Sequence, residues 1–422
     1  MNGTQAIEYI HSYCWKGSIP GLSRTFELLN RMGNPQNRTK FVHIVGTNGK
    51  GSTAAMTAAV LRKAGYTTGL YTSPYIIRFH ERMQVNGEEI SDEELGEITG
   101  FVKPHAEAME DHPTEFELVT AIAMEFFARR NCDIVVLEAG MGGAMDSTNI
   151  ISAPEAAVFT NIGLDHTEYL GNTLEAIAQT KAGIIKEGTE VVYYPVNDGV
   201  DQVYHRIAGE KNVPVHRVDF DAIVPKDHSL EGQMFDYQDR TGLLLPLLGS
   251  HQLRNAAVAI TVIDVLKSRG WKISEENLRD GLREVRWPGR FELLRKDPVF
   301  VVDGGHNPQC MAALAKNLRD YLPDVPLTAL TGVMADKDYV DMYRLVEPYI
   351  SRFVTVTPDN PRALPAPQLA KTLERFGKPV YACESVKAGV EKAISLTGKG
   401  EAVVAFGSLY MVGDIRSAAM EK

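Results

Sequence analysis

Phe41–Thr53 reads FVHIVGTNGKGST, and this stretch decides the fold. Phe41-Val42-His43-Ile44-Val45 is apolar and partly β-branched, which suits a buried strand. Gly46-Thr47-Asn48-Gly49-Lys50-Gly51 then turns the chain, and Ser52-Thr53 lead into a helical run. Strand, glycine turn and helix together form a phosphate cradle. Glycines let successive N–H groups point inward, and the helix presents its positive end to an anion. Lys50 adds a full charge, and Ser52 or Thr53 offers a hydroxyl to a phosphate or its magnesium ion. The P-loop pattern is incomplete. Ile44 stands where the first glycine belongs, and Gly51 where Ser or Thr follows the lysine. The competing reading is a glycine-rich β–α turn with a solvated lysine.

A chain of 422 residues, 44% hydrophobic and 23% charged, buries a substantial core in two or three domains. A net charge of −10 argues against a general nucleic-acid binder, so an anionic substrate needs local positive groups. Cys14, Cys132, Cys310 and Cys383 are far apart and form no metal-ligand spacing, which fits a reduced, cytoplasmic setting. The start of the chain lacks a signal pattern, and no apolar run approaches a membrane span.

Beyond the cradle, βα alternation continues. Thr67–Tyr71 reads as a strand, followed by Thr72-Ser73-Pro74 and a loop, Tyr75–Met83, that mixes aromatics with Arg78, His80, Glu81 and Arg82. Ser91 with Glu94 and Thr114 with Glu117 are capping boxes that start two helices. Asp133–Leu137 reads as a buried parallel strand ending in Glu138, where a magnesium ligand would be needed beside a phosphate loop. Ala157–Ile162 is another strand, and Asp165-His166 follows it. On the residues alone, His166 is either a metal ligand or a loop histidine. Asn172, with Glu175 three residues on, is expected to start a helix carrying Lys181 and Lys186. Lys181 precedes the apolar Ala-Gly-Ile-Ile, and is either a snorkelling surface residue or a desolvated, chemically modified one.

Residues 190–250 hold short strands and turns, and a helix is expected over Asn255–Ser268 and another over Ser274–Val285. Trp287-Pro288-Gly289 breaks the helical pattern, so the domain boundary is expected just after it, dividing the chain into 1–293 and 294–422. In the second part Val299–Val302 ends in Asp303-Gly-Gly-His306-Asn307-Pro308, with Asn307 capping a helix whose first residue is Pro308. Strands near Leu327–Leu330, Phe353–Val356 and Ala402–Phe406 complete a smaller Rossmann-like layer.

Nine motifs in order carry a family resemblance: GTNGKGS (46–52), TSPYIIRFHERM (72–83), EAGMGGAMDSTN (138–149), LDHTEYLG (164–171), KAGIIK (181–186), HQLRNA (251–256), WPGRFE (287–292), DGGHNP (303–308) and GSLYMVGD (407–414). The sequence resembles the folylpolyglutamate synthase / dihydrofolate synthase family, a branch of the Mur-type ATP-dependent amide ligases, over nearly its whole length. The resemblance implies an α/β fold: a large P-loop-containing, Mur-ligase-type ATPase domain with a parallel-rich sheet, plus a smaller C-terminal Rossmann-like domain. It implies an enzyme that adds L-glutamate to a folate or dihydropteroate carboxylate, using ATP and two magnesium ions.

Residue by residue, the resemblance implies that the loop Thr47, Asn48, Gly49, Lys50, Gly51, Ser52 and Thr53 holds ATP, with Lys50 on the β/γ-phosphates. Asn255 would meet the base, Asp303 the ribose and Arg290 the γ-phosphate, with His306 near the ATP or glutamate site. Ser73, Glu138 and His166 would be magnesium ligands, and Lys181 an N-carboxylated lysine that helps hold a second ion. Tyr75 and Arg82 are the candidate folate contacts. The partners expected are small molecules, with no nucleic acid and no membrane, and the chain is expected to be a monomer. One departure stands out: relatives usually carry an arginine where this chain has Ala144, which leaves the acceptor carboxylate and the folate contacts open.

The nearest rival is another ligase of the same superfamily, building cell-wall peptide. Asp359-Asn-Pro-Arg362 is similar to a motif that reads diaminopimelate in one such ligase, but reads more readily as a Pro-containing turn. Those ligases also place a sugar-nucleotide domain ahead of the ATP loop, and the 40 residues here are too few to form one. A rival from a different class, a nucleotide-dependent switch, accounts for the glycine loop and Glu138 but not for Lys181 or the DGGHNP turn.

Overall fold

Lys40–Val45 (β1) lies at the centre of an eight-stranded sheet, buried from Phe41 onward as its mostly apolar composition predicts. The computed structural model describes every residue except Ser18, His166 and Lys422. The other strands of this sheet are Thr68–Tyr71 (β2), Met83–Val85 (β3), Glu88–Glu89 (β4), Ile134–Glu138 (β5), Ala156–Phe159 (β6), Glu190–Tyr193 (β7) and Val215–Arg217 (β8). Their order is β4-β3-β2-β5-β1-β6-β7-β8. Every pairing from β2 to β8 is parallel, and only the β3 and β4 edge runs antiparallel.

Register places the chemistry. Ile44 pairs with Glu138, and Tyr71 with Leu137, so the glycine loop, Ser73 and Glu138 leave the sheet side by side. The chain crosses from β1 to opposite sides of the sheet here, and a ligand crevice is expected at such a switch point. Both faces of the sheet are covered. On one, Val42, Ile44 and Val136 pack against the helices Lys50–Lys63 and Ser250–Ser268. On the other, Phe41, Val135 and Leu137 pack against the helix Glu115–Arg129, whose Phe126 and Phe127 are core residues as their spacing predicts. A three-stranded antiparallel sheet, Ile223–Ser229 (β9), Gly232–Tyr237 (β10) and Arg240–Leu245 (β11), adds Phe235, Tyr237, Leu243 and Leu245 to the first core.

The smaller sheet comprises Glu292–Lys296 (β12), Val299–Val302 (β13), Leu327–Thr331 (β14), Ile350–Thr355 (β15), Val380–Ala382 (β16) and Ala402–Phe406 (β17). Its order is β12-β13-β17-β14-β15-β16, parallel except at the β12 edge. Asn307 caps the helix Pro308–Tyr321, its side chain accepting from the Cys310 N–H at 2.9 Å, with Pro308 in the first turn.

Two helix expectations need correction. Thr173, not Asn172, caps the helix Leu174–Lys181, accepting from the Ala176 N–H at 3.2 Å. That helix tightens into a 3₁₀ turn at Ala182–Ile184, so Lys186 lies beyond it; Gly183 and two isoleucines are poor residues for prolonging a helix. The helix expected from Asn255 begins at Ser250, after Gly249 with φ 103°, so His251, Gln252 and Asn255 all sit in its opening turns. Among the described residues, no helix is long and apolar enough to cross a membrane.

Candidate active site

A cleft of about 900 Å³ opens between the C-terminal edges of the two sheets. Thr47 to Ser52, Ser73, Arg82, Glu138 and Asn255 line it from the large domain. Arg290, Asp303 and His306 line it from the other side. Thr53 does not reach it, being fully buried with its hydroxyl unpartnered. Tyr75 is outside the lining and 37% exposed. Lys181 lines a small cavity of about 30 Å³ with Gly46, Lys50 and Asp165. His166 lies outside the described residues.

The glycine loop is held tightly. Thr47 donates its N–H to the Asn161 carbonyl at 2.7 Å, and its hydroxyl meets Gly163 at 3.0 Å. Gly49 has φ 89°, and a Cβ there would come 2.5 Å from Asn255 Oδ1. Asn255 in turn donates to Gln252 Oε1 at 3.0 Å, and Gln252 donates to Ser52 Oγ at 3.3 Å. A Cβ on Gly51 would sit 3.0 Å from the Trp287 ring, so the hinge indole crowds the position where the standard pattern has serine or threonine.

Lys50 opens the helix after the loop, and its Nζ lies 3.8 Å from Glu138 Oε1. Glu138 accepts the Ser73 N–H at 3.3 Å. Burial pushes the Glu138 carboxyl above its ordinary range, against the pull of Lys50, the Ser73 N–H and Arg290. Lys181 donates to the Gly46 carbonyl at 3.0 Å. Burial, reinforced by Lys50, lowers the Lys181 amine to about 7, so a large neutral fraction exists at neutral pH.

Across the cleft, the Asp303 carboxylate accepts the N–H of Phe291 at 2.9 Å and of Gly305 at 2.7 Å. It therefore shapes both the hinge and the DGGHNP turn. His306 Nδ1 lies 2.9 Å from the Gly304 carbonyl, which fixes the proton there and leaves Nε2 as an acceptor. Burial lowers its pKa, keeping the ring neutral.

The structure gives several residues contacts that sequence reasoning did not foresee. Asn48 spans the cleft, donating to Gln309 Oε1 at 2.8 Å and accepting from Asn307 Nδ2 at 3.1 Å. Asp146 accepts from the Met141 N–H at 2.7 Å and the Thr148 hydroxyl at 2.5 Å, and lines the cleft. Its place in the EAGMGGAMDSTN stretch was the available signal. Lys337 and Asp165 pair across the cleft at 3.8 Å. Arg362 of the Asp359–Arg362 segment forms a turn, its N–H on Asn360 Oδ1 at 3.0 Å, and its side chain pairs with Asp336 at 3.1 Å. Among the described residues, no three His, Cys, Asp or Glu side chains cluster as metal ligands.

The chain matches the Mur ligase middle domain over residues 44–263 and the Mur ligase glutamate ligase domain over 289–409. It is 40% identical over 379 residues to a folylpolyglutamate synthase of Lacticaseibacillus casei, covering 86% of this chain and 88% of that one. It is 37% identical over 422 residues to a dihydrofolate synthase/folylpolyglutamate synthase of Bacillus subtilis, covering 97% of each. A solved folylpolyglutamate synthase complex with AMPPCP and folate superposes with a TM-score of 0.84 at 34% identity, covering 100% of both chains. With the cradle, the facing domain and the full-length likeness in agreement, the chain belongs to the folylpolyglutamate synthase/dihydrofolate synthase family of Mur ligases.

Proposed function

We infer that the chain is an ATP-dependent ligase that joins the amine of L-glutamate to a folate carboxylate. The observation that carries this reading is a single cleft. It holds the phosphate loop and Glu138 on one wall and Arg290 and His306 on the other, in a chain that matches a folate- and AMPPCP-bound relative from end to end.

A carboxylate is a poor acyl donor, because its oxide does not leave. In the proposed reaction the acceptor carboxylate oxygen attacks the γ-phosphorus of ATP, the bond to the β-phosphate oxygen breaks, and ADP departs from an acyl phosphate. The amine of glutamate then attacks the acyl carbon, loses a proton, and expels phosphate. The resulting γ- or α-linked product carries new carboxylates, so extension can repeat; with dihydropteroate the same steps give dihydrofolate. Lys50 and Arg290 stabilise the charge on the transferring phosphoryl group. In this reading neutral His306, whose Nδ1 is turned to the Gly304 carbonyl, takes the amine proton at Nε2. In this reading residues 1–293 hold ATP and folate, and residues 294–422 place glutamate and close about Trp287–Arg290 to keep water from the acyl phosphate.

Magnesium fits the residues present. Glu138 is buried and, among the described residues, is met only by the Ser73 N–H at 3.3 Å and Lys50 at 3.8 Å, so it has lone pairs to give. One carboxylate and a serine hydroxyl suit an ion that keeps most of its ligands as water and phosphate. We assign Ser73, Glu138 and His166 to it; when bound, it would supply positive charge to the phosphate oxygens. Lys181 suits carboxylation: its neutral amine borders the small cavity beside Gly46 and could add carbon dioxide there, releasing a proton. The carbamate would help hold a second ion.

The test is phosphate release from ATP and magnesium, with and without L-glutamate, using dihydropteroate and tetrahydrofolate as acceptors and following product mass. Glutamate-dependent turnover with a mass gain of one glutamyl unit is the expected result. No glutamate-dependent turnover with either acceptor would overturn the folate reading.

A further inference from the structure

Arg82 is an arginine of the cleft wall whose guanidinium is left incompletely used among the described residues. It immediately precedes β3, and its carbonyl accepts the Thr72 N–H at 3.1 Å, so it emerges one residue from Ser73 and the phosphate corner. Its side chain lines the cleft. Nε and Nη1 are shielded from solvent and have no hydrogen-bond partner among the described residues. No carboxylate among the described residues lies within ion-pair distance. The neighbouring Glu81 carboxylate is committed to the N–H groups of Ile76, Ile77 and Arg78 at 2.8, 2.9 and 3.1 Å. Arg24, near the same wall, makes the contrast: it meets Glu117 at 2.9 Å, Asp111 at 3.4 Å and the Ile19 carbonyl at 2.7 Å.

What holds Arg82 is aromatic. The Tyr75 and Phe79 rings lie 5.6 and 5.4 Å from its central carbon. Rings fix the plane of a guanidinium but satisfy none of its N–H groups. Shielded donors without acceptors are costly, and native structures rarely keep them without a reason. A planar fork of donors held in this way matches a carboxylate.

We propose that Arg82 anchors the second carboxylate of a glutamylated acceptor, the one that is not phosphorylated, and so favours folates that already carry glutamate over single-carboxylate pteroates. This rests on the folate-ligase reading above. A terminal glutamate offers two carboxylates; one must lie at the phosphate loop to react, and Arg82, beside Ser73, takes the other. A pteroate has only the reacting carboxylate and gains nothing from Arg82.

The experiment is equilibrium binding, with AMPPCP and magnesium present, of folic acid and its two mono-amides to the full-length wild-type enzyme and to Arg82→Met. In the wild type, amidating the anchored carboxylate weakens binding about 10- to 100-fold, the scale of a hydrogen bond to a charged group. Arg82→Met weakens folic acid by a similar factor and binds that same amide no worse than the wild type does, so the two changes do not add. In turnover, the variant raises KM for tetrahydrofolate by this factor and leaves KM for ATP within about two-fold. Arg82→Lys keeps the charge without the fork, recovers part of the loss, and supports the same cycle if the methionine variant does not fold. Fully additive losses for both amides, or an unchanged affinity for folic acid, would overturn the proposal while leaving the ligase reading intact. A wild-type enzyme that neither binds folic acid nor forms a glutamyl product would overturn the ligase reading itself.

Discussion

Asn48 of the phosphate loop donates to Gln309 Oε1 of the opposite domain at 2.8 Å, across the cleft. The same Asn48 oxygen accepts from Asn307 at 3.1 Å and from the Cys310 thiol at 3.4 Å. The loop that would hold ATP is thus tied to the first turn of the helix Pro308–Tyr321. Gln309→Ala removes one neutral bond and should lower kcat/KM for ATP about 2- to 10-fold, with a change in Tm of only a few degrees. Asn48→Ala, which strands three groups, should cost more. Steady-state kinetics on both variants tests this, and equal, wild-type values would show that the tie is idle.

Gly51 and Trp287 form a second link between loop and hinge. A Cβ on Gly51 would meet three atoms of the indole at 3.0 to 3.2 Å, too close without movement of the ring. Gly51→Ala should therefore raise KM for ATP and lower kcat together, because the hinge and the loop shift as one. Replacing Trp287 by Leu as well should return part of the loss. A double-mutant cycle with no coupling would mean that the ring yields freely.

How much of this was legible in the chain follows from the range of the forces involved. Apolar runs and caps act locally, so β1, β5, the Thr114 capping box and the Asn307 cap were readable, and Val299–Val302 and Ala402–Phe406 are strands as expected. The Asn48–Gln309 tie joins residues 261 apart, and no local pattern encodes it. The resemblance gives Asp303 to the ribose, and nothing local in the chain shows that both of its oxygens are engaged by backbone N–H groups, one of them across the hinge. The helix expected to carry Lys186 ends at Lys181, and just beyond it Gly183 lies so near Ala144 that a Cβ there would come 2.3 Å from the alanine Cβ, a contact visible only in three dimensions.

Glu138→Gln separates function from stability. The buried carboxyl is held above its ordinary pKa, so the folded state binds its proton more readily than the unfolded chain does. Stability from this group is therefore greatest below the unfolded value of about 4.3 and is lost as pH rises through the folded value. Glutamine carries no such charge. The variant should be at least as stable as the wild type at neutral pH, while phosphate release falls about 100-fold or more. Thermal unfolding across pH, alongside the phosphate assay, gives both readouts. A variant that keeps its activity would remove Glu138 from the metal assignment.

Lys181 gives the sharpest pH signature. Burial and then Lys50 lower its amine to about 7, whereas the unfolded chain keeps it near 10.4. Between these values the unfolded state holds a proton that the fold has released, so the unmodified protein gains stability as pH rises from about 7 towards 10. Below 7 the fold carries the full penalty of a charged amine beside Lys50. Lys181→Met removes that penalty, so the variant should be more stable than the wild type at pH 6, with the difference shrinking as pH rises. Activity should fall about 100-fold or more, because the methionine cannot form a carbamate. In the wild type, ¹³C-bicarbonate should produce a carbamate signal that grows as pH passes 7, and removal of carbon dioxide should lower turnover reversibly. A signal absent at pH 8, with turnover indifferent to bicarbonate, would leave Lys181 a neutral amine bonded to Gly46 and nothing more.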